Sequence, residues 1–226
     1  MMSYQTAKRG LLVIAVAWAA ALPVEAQSVS LPNPDRTGEM SVESAIHGRN
    51  SRRHFADEPL TIEDAGQLLW AAAGRTVDGI SGPTRAPASA GGLYPIEAYL
   101  VAEKVAGLEP GVYLYRWRSH ELELVASGDR LGRLRRAALF QGAVDRAPAA
   151  IVLAGDYEVT ARRYGERGTE RYVHMDAGHS AQNLLLQAES LGLAAVPIGA
   201  FTDGPVKRAT GIDLAPLYII PVGPAP

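Results

Sequence analysis

The sequence predicts an α+β fold, a central mixed sheet with helices packed against it, and three observations carry that reading. The strictly alternating run Glu121-Leu122-Glu123-Leu124-Val125 follows a β-rich run at 111–117 across a short break, the pattern of a hairpin. The continuous apolar run 149–154 reads as a central strand covered on both faces. Val173, Ala177, Ala181, Leu184, Leu185, Ala188 and Leu191 share one face of a long helix spanning 170–191, with Gly192 as its stop. Helices intermixed with a hairpin suit such a sheet better than a regular doubly wound one.

Taken in order, residues 1–26 read as a signal peptide. Lys8 and Arg9 precede an apolar run from Leu11 to Leu22, and Val24-Glu25-Ala26 offers small residues at the cleavage positions. The run is shorter than the ~20 residues of a spanning helix, so export to the periplasm is expected rather than a permanent membrane anchor. Residues 27–40, with Pro32 and Pro34, read as a flexible or extended arm before a domain at 41–226. Ser41 caps a short helix through Gly48 in which Val42, Ala45 and Ile46 share a face. Thr61 caps a second, with Asp64 as the capping-box acid, Ala65, Leu68, Leu69 and Ala72 as its stripe, and Gly74 as its end.

Between Thr76 and Pro95, Gly, Pro, Ser and Ala break regular structure, and a loop of that length points to function. A strand at 96–101 follows. Leu131, Leu134, Ala138 and Leu139 give a further helical stripe. Beyond the long helix, 193–198 reads as a strand, Asp203 as the cap of a brief helix ending near Gly211, and 217–222 as the last strand.

Composition bounds the function. The chain has 226 residues and 47% hydrophobic content, enough for one domain with a real core. A net charge of −2 argues against broad nucleic-acid binding, which needs an extended basic face. With no cysteine there is no disulfide, thiolate nucleophile or cysteine metal site.

Within this acidic chain, Arg49-Asn50-Ser51-Arg52-Arg53-His54-Phe55 gathers three arginines with an amide and a hydroxyl. Guanidinium forks and neutral donors so placed suit a phosphate, and serve equally as a solvated basic turn paired with Asp57 and Glu58. Ser89-Ala90-Gly91-Gly92-Leu93-Tyr94-Pro95 would let backbone approach a flat ligand, or would simply lead into the strand at Ile96. No glycine pattern of a Walker or dinucleotide loop occurs. Gly178-His179-Ser180-Ala181-Gln182 lacks the second glycine of a nucleophile elbow and falls inside a helix. His174 and His179, five apart, point to different helix faces and read as structural, with Asp176 a hydrogen-bond partner for one of them. Arg162 to Gly168 reads as a charged loop in which Tyr164 could donate a proton at a closed site.

These segments, with Leu68-Leu69-Trp70-Ala71-Ala72, Asp176 to Asn183 and Pro197-Ile198-Gly199-Ala200-Phe201, together resemble the FMN-dependent nitroreductase superfamily, in its SagB-type dehydrogenase branch, from about Ser41 to Val222. The resemblance implies an interlocked homodimer with FMN at two interface sites. It places Arg49 and Ser51 at the phosphate and ribityl chain, and Asn50 and Arg53 toward the pyrimidine side of the ring. Ser89, Ala90 and Gly91 would come from the neighbouring subunit, and the Gly199 and Ala200 backbone would lie near the flavin N5. It further implies a small-molecule substrate, NADH or NADPH as electron donor, and hydride transfer to a small electron-poor acceptor. Azoline oxidation by a SagB-like dehydrogenase, or flavin binding without turnover, are the alternatives.

Two features depart from the family pattern. The closing strand runs into Pro224-Ala225-Pro226 where a basic residue often helps hold the phosphate, which shifts the load onto Arg49 and Arg52. Arg163-Tyr164 aligns with the Lys-Tyr pair of azoline-oxidising members, and a permanently protonated arginine is a poor base.

Overall fold

Alternation along the strands decides the layers. The computed structural model describes residues 28–79 and 82–226, and the expected leader lies outside them. Seven strands form one sheet: β1 (Ser28–Ser30), β4 (Ile96–Ala102), β5 (Gly111–Arg116), β6 (Glu121–Ser127), β7 (Ala149–Gly155), β8 (Leu193–Ala195) and β9 (Ala215–Pro224), in the order β1-β6-β5-β4-β7-β9-β8. The apolar strand β7 sits between β4 and β9, every residue buried. All pairings between these seven strands are antiparallel, so the sheet expected to be mixed is antiparallel instead.

Odd and even residues of the central strands then serve two cores. Ala98, Leu100, Ile151, Leu153, Ile220 and Val222 face α2 (Ile62–Ala73) and α6 (Val173–Ser190). Tyr99, Val101, Ala150, Val152 and Ile219 face α3 (Leu131–Ala137), α4 (Gly142–Arg146) and α7 (Asp203–Thr210). The stripe Ala65, Leu68, Leu69 and Ala72 of α2 is wholly buried, and the Thr61 hydroxyl accepts from the Asp64 N–H at 3.0 Å. In α1 (Val42–Gly48), capped by Ser41, only Ala45 is buried; Val42 and Ile46 are 65% and 60% exposed, so the predicted face has no cover among the described residues.

Several expectations are corrected. The arm is extended but pinned: β1 pairs with β6, and the Asp35 N–H donates to Gln67 Oε1 at 2.9 Å. The segment expected to lack regular structure forms a hairpin, β2 (Arg75–Gly79) against β3 (Gly82–Arg85), then a tight turn at Ala90–Gly92. Thr76 and Thr84 hydroxyls 3.0 Å apart tie that hairpin, a cross-strand pairing that composition hides.

Arg162, Arg163 and Tyr164 belong to α5 (Tyr157–Tyr164) rather than a loop, because Asp156 caps that helix and Glu158 pairs with Arg162 at 3.2 Å. A π-helical turn at Gly168–Tyr172 then leads into α6. Leu139 lies beyond α3 with φ 54° and is exposed, so it leaves the helical stripe. β8 stops at Ala195, although Ile198 pairs again with Ile219, and Thr202 rather than Asp203 holds the cap position of α7.

Candidate active site at the two ends of one helix

The helix α6 carries an acid near each end, Asp176 buried and Glu189 half-buried. Near its start, Asp176 is 3% exposed and accepts from the Ser89 hydroxyl at 2.6 Å and from the Ala90 N–H at 3.4 Å. The Ser89 oxygen in turn accepts the Tyr94 N–H at 2.8 Å. His179, one turn on, donates from Nδ1 to the Ala88 carbonyl at 2.9 Å and stands 4.0 Å from Asp176, so its bond goes to the turn rather than to the acid. His174 meets the Tyr157 hydroxyl at 3.1 Å.

Gly91 shows why this turn needs glycine. Its φ is 61°, and a Cβ there would collide with Tyr164 Oη and stand 3.2 Å from Arg163 Nη1. Arg163 also reaches the Gly91 carbonyl, at 3.5 Å. Of the residues expected at the site, Ser89, Ala90, Gly91, Arg163 and Tyr164 are therefore brought together within one chain.

Arg85 secures the same region from the other side. It is 5% exposed and donates to three carbonyls, Ala73 at 2.7 Å, Tyr94 at 3.3 Å and Ile96 at 2.8 Å, with the Trp117 ring 5.2 Å from its guanidinium carbon. Burial pulls its pKa down, and the same desolvation holds the Glu97 carboxyl, 3.7 Å away, above the usual range despite the cation. Sequence reading missed Arg85, Glu97 and Asp176 in these roles, since each acts on backbone or side chains beyond its own element.

At the far end of α6, Glu189 lies beneath the arginine cluster, and a Cβ on Gly48 would stand 2.7 Å from its carboxylate. Arg52 pairs with Glu189 at 2.8 Å, and its N–H donates to the Ala195 carbonyl. That commits the one arginine expected to share a phosphate load with Arg49. Asp57 pairs with Lys104 instead of the cluster. Arg49, the C-cap of α1, and Arg53 have no acidic partner among the described residues. Asn50 bonds the Gly48 carbonyl at 3.0 Å and Arg53 the Ser51 carbonyl at 3.3 Å, local bonds that leave Asn50, Ser51 and Arg53 exposed.

The two groups stand apart in a single chain. Asp176 and Glu189 are thirteen positions apart on α6, roughly 20 Å at the helical rise. The sheet agrees: the turn feeds the Ile96 end of β4, whereas Ala56 bonds Pro224 and Arg52 bonds Ala195 at the opposite end of β9 and β8. Gly199 and Ala200 lie exposed on the loop after β8, with open space around the Gly199 Cα and the Ala200 carbonyl accepting from Gln141 Nε2 at 3.2 Å. Gln141 is a further contact that sequence reading did not single out. Along α2 and α6 runs an open groove of about 1050 Å³, lined by the arm, Val42, Trp70, Val77 and Leu186. Among the described residues no cluster of His, Asp or Glu could hold a metal, and no helix is long and apolar enough to cross a membrane.

Relatives share this arrangement of elements. A protein of Methanocaldococcus jannaschii named as a nitroreductase is 38% identical over 199 residues, covering 88% of this chain and 97% of its own length. A structure from Ralstonia eutropha JMP134, also named as a nitroreductase, superimposes with a TM-score of 0.75 at 29% identity, covering 88% of this chain and 90% of that one. The microcin synthetase McbBCD complex of Escherichia coli contains a chain of TM-score 0.66 and 26% identity, covering 93% of this chain and 85% of that one. The sequence profile of the Nitroreductase family matches residues 46–224, and the chain belongs to that family of oxidoreductases.

Proposed function

We propose that the protein is an FMN-dependent oxidoreductase that works as a homodimer, with the arginine cluster of one protomer facing the Ser89–Gly91 turn of its partner. The observation that carries this reading is the separation of two ligand-ready groups by roughly 20 Å on one helix. A second copy related by two-fold symmetry would supply each group with its complement twice over. Exposed Val42, Ile46 and Val77 near the α2–α6 groove give such a partner apolar surface to cover.

The residues fit FMN. Arg49 and Arg53 have no acidic partner among the described residues and can turn to a phosphate and to the electron-rich edge of a flavin, while Gly91 lets Tyr164 and Arg163 close onto the turn. FMN, when bound, supplies the hydride chemistry. Arg49 and Ser51 bind the phosphate and ribityl chain, Asn50 and Arg53 orient the pyrimidine side, and the fixed charge of Arg53 favours the more anionic, reduced cofactor. Ser89, Ala90 and Gly91 pack against the ring, and the Gly199–Ala200 backbone leaves room at its reacting edge.

Tyr164 places its hydroxyl beside the turn as the proton donor of the site, with the Arg163 guanidinium next to it. NADH or NADPH would serve as donor and a small electron-poor molecule as acceptor.

The similarity to a chain of the microcin synthetase complex favours a second reading, a SagB-like dehydrogenase acting on a peptide heterocycle. Arg163 weighs against it, since arginine is a poor base. Export to the periplasm, from the leader pattern at 1–26, completes the proposal. Titration of purified protein with FMN tests it: flavin fluorescence should quench, anaerobic NADH or NADPH should bleach the bound flavin, and a nitroaromatic or quinone should restore the colour. A protein that gains no flavin would end the proposal. One that binds flavin but never bleaches with either nucleotide would instead be a flavin-binding protein without turnover.

A further inference from the structure

The acid near the start of α6 does more than fill a core. A carboxylate with 5% side-chain exposure would ordinarily need a cation, yet the nearest cationic candidate, His179 Nδ1, is 4.0 Å away and donates elsewhere. What Asp176 has instead is the turn: the Ser89 hydroxyl on Oδ2 and the Ala90 N–H on Oδ1. Ser89 spends its one proton on that carboxylate and its lone pair on the Tyr94 N–H. Its hydroxyl is thus committed within the protein, which alters the role expected of it.

Further groups of the turn are committed too. The Ser89 and Ala90 carbonyls accept from the Gly92 and Leu93 amides, and the Ala88 carbonyl from His179. Among the described residues the Gly91 N–H has no partner, and Gly91 is the residue against which Tyr164 and Arg163 rest.

We infer that Asp176 is a positioning residue: through Ser89 and Ala90 it fixes the turn so that the Gly91 backbone and Tyr164 Oη are presented together to the ligand. The role demands a carboxylate rather than merely a polar group of that size. Both its oxygens accept, whereas an asparagine would set an NH₂ either against the Ala90 N–H, donor against donor, or toward Ser89 Oγ, whose own proton would then lose its acceptor. The inference rests on the reading that this turn meets FMN.

The test compares Asp176→Asn, Ser89→Ala and the double variant in the full chain, by two measurements. Hydrogen exchange of peptides covering 88–94 is followed without flavin, and FMN affinity by fluorescence quenching. Asp176→Asn should speed exchange in 88–94 about tenfold or more while α2 amides keep wild-type rates, and should weaken FMN binding about tenfold or more. Ser89→Ala should move both in the same direction, and the double variant should be no more than about twofold worse than the worse single change, because the two act in one chain of contacts.

Unchanged exchange in the Asn variant would overturn the inference. So would losses that multiply in the double variant, or faster exchange with wild-type FMN affinity. If Asp176→Asn does not fold, Ser89→Ala carries both measurements by itself. A wild-type chain without FMN affinity would overturn the flavin reading, and exchange in 88–94 would then decide the hold of Asp176 on the turn.

Discussion

The two ends of α6 are built on opposite terms. Near Asp176 the Ser89 hydroxyl and the Ala90 and Tyr94 amides all have partners, and Arg85 binds three carbonyls behind them. Near Glu189 only Arg52 is tied, while Arg49, Asn50, Ser51 and Arg53 keep local bonds or none. One end is preorganised and the other is left unsatisfied, and the difference teaches how labour divides between them. A backbone that must approach a flat ligand has to be fixed beforehand, whereas cations in contact with solvent lose little until an anion arrives.

The contrast can be broken most forcefully at Arg85. Arg85→Ala leaves three carbonyls and Glu97 without their cation, and should cost about 3–5 kcal/mol in denaturant unfolding. A loss below about 1 kcal/mol would show that the turn end is not braced as described. Next comes Gly91→Ala, where a strained φ and the contact with Tyr164 should together cost about 1–3 kcal/mol and abolish FMN binding.

At the open end, Arg49→Ala should behave differently. FMN binding should weaken by about 1.5–3 kcal/mol, with thermal stability kept within about 0.5 kcal/mol. A melting temperature that falls as far as for Gly91→Ala would erase the distinction between the ends.

The smallest effect concerns the arm. His120 meets the Tyr115 hydroxyl at 2.7 Å through Nδ1 and the Pro32 carbonyl at 2.8 Å through Nε2, which fixes the neutral tautomer with the proton on Nε2. Burial lowers its pKa from 6.5. A neutral histidine preferred by the folded state contributes stability in full above the unfolded value and loses it as pH falls through the lowered folded one. Wild-type stability should therefore decline as the pH drops below about 6.5, and His120→Gln should remove that component of the decline.

Local signals made much of the fold legible. Thr61 marks a helix start through its hydroxyl, Gly74 an end where a Cβ would meet Trp70, and Gly192 another through its left-handed backbone, while the stripes of α2 and α6 and the alternation of β6 follow from a single period. Where Gly and Pro dominated, between Thr76 and Pro95, the pairing rested on the Thr76–Thr84 contact and the burial of Arg85, neither visible in composition. The site divides in the same way. The arginine cluster stood out by residue type, with a phosphate site and a solvated basic turn both open, but the pairing of Arg52 spans 137 positions and that of Asp176 with Ser89 spans 87. Tyr164 stood out by residue type as a proton donor and Arg163 through family resemblance, and their place against Gly91 required the capped helix α5.

The claim that the two ends complete each other only across chains has a direct test. Arg49→Ala/Arg53→Ala chains, with the turn intact, are mixed and refolded with Gly91→Ala chains, which keep the cluster. Neither protein alone should bind FMN. Random pairing in equal amounts makes about half the dimers mixed, each with one intact site, so about a quarter of the wild-type FMN sites should return on titration. No recovery from well-folded mixed dimers, beside a wild type that binds FMN, would contradict the account.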